Sequence, residues 1–308
     1  MRAKLSLVAL AVALLGLTAC DIENIGDFQR YQRDFHYSYP LKAGGSFSVE
    51  SFNGSVEISG WDQDSVDISG TKYGPSQESA DSLRIDVENS PGAVSVRAVR
   101  PSERRNNQGA RFIVKIPRTA VLDRITTSNG SIRTLDGSGP ARLRTTNGSI
   151  RVEDLKGSLD AQTSNAGVEL LNVDGDAKVG SSNGHIHADH LRGSLEASTS
   201  NSSIAVSVSE AARTVRLDTT NGSVDLTLPA NYASDAHVST SNSSITVRMP
   251  GQPNARLMAH TSNASITTDF ELRTQGTFNK NQMEGTLGNG GPLIDLGTSN
   301  GSIRLLRM

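Results

Sequence analysis

His185 and His187 flank a single residue, and Glu169 precedes them by one period of the repeat described below. Two imidazoles and a carboxylate can hold Zn²⁺ or Cu²⁺ if the fold brings them to one surface. With His190, this short stretch holds three of the six histidines, a clustering that surface drift also explains. The expectation is therefore no metal and no cofactor, with His185, His187 and Glu169 as the one candidate set. Arg133 and Arg151, with Arg142 and Arg144 nearby, could serve polysaccharide cleavage. No nucleophile elbow, phosphate loop or HExxH pattern accompanies them, so the reading is non-enzymatic.

What must position these residues is a repeat. Thr-Ser-Asn-Gly-Ser-Ile and its variants recur, and the asparagine returns at a nearly fixed interval. Asn129, Asn147, Asn165, Asn183 and Asn201 are evenly spaced. Asn221, Asn242 and Asn263 follow at slightly longer intervals, and Asn300 comes after a gap close to two coils. A period of this size marks a solenoid or array. Six and four positions before each asparagine are apolar, as in Leu159 and Ala161, and two before is Thr or Ser. Period two puts these on one strand face, with the asparagine inward at a corner. After the Gly-Ser pair the parity flips, and positions three and five beyond carry the apolar residues, as in Ile150 and Val152. The pattern predicts an all-β, single-chain, right-handed parallel β-solenoid (β-helix) with coils of about 18–21 residues, since parallel crossovers are nearly always right-handed. Leu and Ala alternate between neighbouring coils, so a narrow core fills. The outward row Arg142, Asp160, Lys178, Glu196, Arg216 alternates in sign, which favours the register.

Degenerate coils are expected around Asn53 and around Leu83, Ile85, Val87 and Asn89. The stacked asparagine amides form a predicted ladder, each donating to one coil and accepting from the other. Loss of Asn165 at its middle is expected to cost several kcal/mol, more than loss of Asn53. The repeat runs to Ile303 and Leu305, so the last coil would present an open edge. Residues 269 to 288 have little of the pattern and are expected to leave the coil and cover that edge, with Phe278 over the core.

The charge is balanced, 30 Lys and Arg against 32 Asp and Glu, which offers nucleic acid no basic stripe. Arg2 and Lys4 precede an apolar run, Leu5 to Leu17, too short to span a bilayer. It ends in Leu17-Thr18-Ala19-Cys20, the only cysteine. This resembles a bacterial lipoprotein signal, which implies cleavage before Cys20 and acylation there. The expected organisation is 1-19 signal peptide, 20-45 lipid-anchored spacer and N-terminal cap, and 46-308 solenoid. The expected partner is the lipid bilayer through Cys20, and the expected location is the periplasmic or outer face of a membrane.

Gly60-Trp61-Asp62, the repeated Thr-Ser-Asn-Gly-Ser-Ile, the Leu-Pro coils and the glycine-rich ending from Gly285 to Leu305 resemble a large bacterial family known as "putative adhesin" and as a domain of unknown function. The resemblance covers most of residues 40 to 308. It implies a β-solenoid outside a membrane with no established catalytic residues. The functional expectation is a non-catalytic envelope lipoprotein that binds a glycan or envelope protein, or serves as a structural element. The alternatives are a regulatory or sensory lipoprotein docking a membrane protein, and a polysaccharide-active enzyme.

Two or three acyl chains anchor stably, and no other apolar segment is available to replace them. Cys20→Ser is thus expected to release the chain from membranes. Fractionation after a carbonate wash checks this; a variant still sedimenting with lipid is held by something else.

Overall fold

Thr145 is buried while Thr146 and Asn147, the next two residues, are exposed. This corner repeats along the chain and sets the architecture. The computed structural model describes residues 31–101 and 107–308; the signal segment and Cys20 lie outside the described residues. Before each corner a short strand pairs in parallel with its equivalents: Ala141–Arg144 with Leu159–Gln162, and Leu159–Gln162 with Ala177–Gly180. After it a second row does the same, with Ile132, Ile150, Val168 and Ile186 as successive partners. Each step equals one period of the sequence repeat, so the repeat is a stack of parallel coils. The apolar positions fill one continuous core between the rows. Leu159 lies between Ala141 and Ala177, and Ala161 between Leu143 and Val179, so large side chains face small ones.

The asparagines do not face inward. Asn129, Asn147, Asn165, Asn183, Asn201, Asn221, Asn242, Asn263 and Asn300 lie toward solvent, and the innermost corner residue is the Thr or Ser two positions earlier. The hydroxyl explains the reversal. Thr145 Oγ1 donates to the Gly130 carbonyl of the preceding coil at 2.9 Å and accepts from its own coil's Gly148 N–H at 3.3 Å. A hydroxyl that bonds the backbone this way tightens the chain into a turn and breaks the alternation of faces. Thr163, Thr199, Thr219, Thr240, Thr261 and Thr298 likewise donate to a neighbouring coil's carbonyl. A buried hydroxyl ladder thus runs beneath the exposed amide ladder.

The amide ladder itself is unbroken. Each Nδ2 donates to the Oδ1 of a neighbouring coil's asparagine at 2.6–2.8 Å, from Asn53 through Asn129 to Asn242. It then departs from chain order. Asn300 donates to Asn242 at 2.8 Å, and Asn263 donates to Asn300 at 2.7 Å. The last repeat is therefore inserted between its two predecessors. Leu293–Thr298 lies between Ala236–Ser239 and Ala255–Thr261, and Ile303–Arg307 between Ile245–Met249 and Ile266–Thr268. The expected open edge at Ile303 and Leu305 does not exist. Residues from Leu272 to Leu287 do leave the coil, as an antiparallel hairpin that pairs with the outer edge of Ala255–Thr261 and buries Met283 and Leu287. The side chain of Phe278 lies outside the described residues.

The beginning of the chain is threaded in the same manner. Ser46–Glu50 lies between Ala93–Val99 and Val121–Thr126, and Val56–Trp61 between Gly109–Pro117 and Ile132–Gly137. Asn89 belongs to no coil: Arg84–Ser90 and Ala93–Val99 form an antiparallel hairpin. Pro91-Gly92 makes the reversal, with Gly92 at φ +89°, the arrangement a tight turn asks of these two residues. Tyr31–Pro40 is an antiparallel edge strand on Ser65–Gly74, with the Phe35 ring 5.5 Å from Phe112. It therefore covers the coil built later in the chain, not the one that follows it. One short helix, Gln77–Ser82, capped by Ser76, breaks the expectation of strands alone.

Glycine placement follows this threading. A Cβ at Gly148 would sit 1.8 Å from the Gly130 carbonyl oxygen, and one at Gly301 would sit 1.7 Å from that of Ser243. In spatial order from Asn147 the residue after the asparagine reads Gly148, Ala166, Gly184, Ser202, Gly222, Ser243, Gly301, Ala264. From Gly148 onward glycine alternates with a small residue, whereas Gly54, Gly130 and Gly148 follow one another. In chain order the alternation fails, because Ala264 follows Ser243.

In a Cys20→Ser background, His237→Cys with Asp295→Cys should oxidise to a disulfide, because the two are Cα partners on adjacent strands. His237→Cys with Met258→Cys should not, since Asp295 separates them by two strand spacings, about 10 Å. Non-reducing electrophoresis reads both, and the reverse result would place the last repeat at the end of the stack. Thr145→Val removes two buried bonds and should cost about 2–4 kcal/mol, whereas Asn147→Leu removes exposed amide bonds and should cost only about 1–2 kcal/mol. Thermal melting ranks them; a larger shift for Asn147→Leu would put the amide ladder in charge of the corner.

Candidate functional site

The histidine set does not assemble. His185 Nε2 reaches Glu169 Oε1 only at 3.9 Å, and Glu169 Oε2 is held by Arg151 at 2.5 Å. His187 is the cross-strand partner of Glu169, and His190 turns to Asp189 at 3.2 Å. Among the described residues no three His, Cys, Asp or Glu side chains are grouped to hold a metal ion. The arginines are also engaged. Glu153 takes Arg133 at 3.0 Å and makes a close pair with Arg151, so its carboxyl is held below the usual range, chiefly by the Arg151 bond. Arg144 pairs with Asp160 at 2.8 Å, and Arg142 faces Asp123 at 3.7 Å. Lys178 meets Glu196 at 3.0 Å, as the alternating row implies. These charges stitch neighbouring strands, and the sheet face they cover presents no basic track.

A different site lies where the second strand row bends back. Asp136, Asp154, Asn172 and His190 recur at the repeat period and all take the left-handed conformation, with φ of 60°, 55°, 55° and 55°. Each is an extra outward residue. Val152 and Leu155 are buried with Glu153 and Asp154 outward between them, a bulge that bends the strand. Asp and Asn tolerate this conformation better than most side chains. The same corner can be made with glycine, so at these positions it carries polar side chains instead.

The four corners line a groove of about 570 Å³. Its coils have the shortest repeat, and the next coil, from Asn201 to Asn221, is longer. Ser209 of that longer coil bounds one end and Arg118 the other. Arg118 is fixed by Asp62 at 2.8 Å and by a close pair with Asp136, and it holds the Asp62 carboxyl below its ordinary value. Asn172 Nδ2 donates to Asp154 Oδ1 at 2.9 Å. A second row, Lys156, Asp174 and Arg192, lies two positions further on, and these three are partners on adjacent strands. All three are exposed. The sequence signal for this site is the Asp, Asp, Asn, His column at the repeat period, which the more prominent asparagine series overshadows.

Thus the sequence-derived candidates divide. The asparagine ladder is real but lies outside, the His185, His187 and Glu169 set is dispersed, and Cys20 lies outside the described residues.

Among solved structures, a "putative adhesin" from Bacteroides fragilis is 12% identical, with TM-score 0.37, covering 89% of this chain and 97% of its own. A "putative adhesin" from Parabacteroides merdae is 11% identical, with TM-score 0.37, covering 89% and 96%. A "putative cell adhesion protein" from Clostridium sporogenes is 11% identical, with TM-score 0.27, covering 90% and 100%. No curated protein matches the chain. The model of the Toastrack DUF4097 family matches residues 45–248, and the chain belongs to that family.

Proposed function

We propose that this chain is a non-catalytic binding module of the bacterial envelope, lipidated at Cys20, that engages an envelope polymer in the groove of the four left-handed corners. The groove carries the reading. Its four corner side chains sit on strand bends, with Arg118 and Ser138 just beyond strand ends, and the four non-glycine corner residues hold a conformation that glycine adopts at less cost. Its size falls within the usual range for binding clefts. The lipobox-like Leu17-Thr18-Ala19-Cys20 supports the tether. The right-handed sense of the coils and their length of about 18–21 residues belong to the same proposal, on the general handedness of parallel crossovers.

Immobilised full-length protein, incubated with polysaccharide fractions of the cell envelope, tests this. Wild type should retain a fraction unchanged in chain length. Ser138→Trp, which fills the groove from its lining, should lose most of that retention while melting normally. Undiminished retention by Ser138→Trp would move binding away from the groove, and shortened chains would make the protein an enzyme.

A further inference from the structure

Most charged side chains on the shortest coils are used up in cross-strand pairs: Arg151 with Glu169, Lys178 with Glu196, Arg144 with Asp160. The groove breaks this habit. Lys156, Asp174 and Arg192 stand side by side on three adjacent strands, cation, anion, cation, and among the described residues no ion pair joins them to each other or to another group. The spacing between them is the strand spacing, about 4.8 Å. In the parallel row, Asn172 spends one N–H on Asp154, which leaves its side-chain oxygen and Asp154's second oxygen free to bond.

The surface therefore offers donors and acceptors in alternation, each strengthened by charge. A polyanion would satisfy Lys156 and Arg192 but meet Asp154 and Asp174. A polycation would meet Arg192, Lys156 and Arg118. Like-charge encounters of this kind select against a partner. A hydroxyl donates and accepts at once. Two adjacent hydroxyls can take a bond from Lys156 or Arg192 and return one to Asp174. Among the described residues no Phe, Tyr or Trp lines the groove and the imidazole of His190 is its one ring, so the polar bonds must carry most of the recognition.

From this alternation we infer that the groove binds a neutral glycan through vicinal diols, its chain lying along the solenoid axis across the strands of the Asn147, Asn165 and Asn183 coils. This rests on the groove being the binding surface, as proposed above. Contacts of this type are individually weak, and many tethered copies on one membrane would supply avidity.

The test titrates the full chain by calorimetry with neutral hexasaccharides of α- and β-linked glucose, mannose and galactose. Two controls accompany them: the same sugars after periodate cleavage and borohydride reduction, which destroys ring vicinal diols, and a hexagalacturonate. At least one intact neutral hexasaccharide should bind. Its cleaved form should bind at least tenfold more weakly, and hexagalacturonate should not bind. Asp174→Asn and Arg192→Gln should each weaken binding by about tenfold while leaving the melting temperature within a degree or two. Three results would overturn the inference: no neutral hexasaccharide binds, the cleaved form binds as well, or Asp174→Asn is without effect. If Ser138→Trp still abolishes retention of envelope polymer when these sugars fail, the ligand class is wrong and the groove stands. If Ser138→Trp also has no effect, the groove itself is wrong.

Discussion

A chain that must turn a sharp corner in every coil has to satisfy the backbone groups that the turn takes out of the strand ladder. Here the buried Thr or Ser hydroxyl does this, bonding one coil's carbonyl and, at several corners, its own coil's glycine N–H. Because the partner carbonyl belongs to the adjacent coil, closing a corner and stacking a coil are one event. The register of the core, the outward asparagines and the small residue required after each of them all follow. The amide ladder lies on solvent, where water competes for its bonds, so its role is to reinforce a register already set beneath it.

The same rule makes stack ends difficult. A terminal coil has corner carbonyls with no hydroxyl above them and a strand edge open to pairing with other molecules. This chain ends its stack with antiparallel strands, Arg84–Ser90 with Ala93–Val99 and Tyr31–Pro40 with Ser65–Gly74 at one side and the Leu272 to Leu287 hairpin at the other. The first and last repeats are each slotted one place inward. At the first-repeat end, Asn53 continues the bonding by donating to the Gln108 carbonyl at 2.9 Å. Both the first and the last repeat are thereby held between strands on two sides, while antiparallel segments outside the repeat face the open edges.

The period, the strand rows, the alternation of Leu with Ala and the departure of residues 269 to 288 from the coil were legible in the sequence. The orientation of the asparagines was not, because periodicity of two continues through Thr145 to Asn147 on paper and only the hydroxyl's bonds reveal where it stops. Asn89 followed an apolar run like that of a true coil, yet Pro91-Gly92 beside it is a turn signal that outweighs the pattern. The threading was hidden because sequence reading assumes that neighbours in the chain are neighbours in the stack. Its trace was nonetheless present: stacked in chain order, Ala264 on Ser243 would break the glycine alternation that begins at Gly148, and Gly301 between them restores it. The groove was missed for a related reason. Asp136, Asp154, Asn172 and His190 share a backbone conformation rather than a residue type, so their column does not stand out as a motif.

The central claim, that neither the first nor the last repeat is an end of the stack, is tested most directly by residue-resolved amide hydrogen exchange, which reports local opening. The account predicts that Ile303 and Leu305, near the C-terminus, exchange as slowly as Ile150 and Val168 in the middle coils, while the hairpin from Leu272 to Leu287 exchanges faster. Protection that instead fades steadily toward the C-terminus, with Ile303 and Leu305 exchanging before the hairpin, would contradict it.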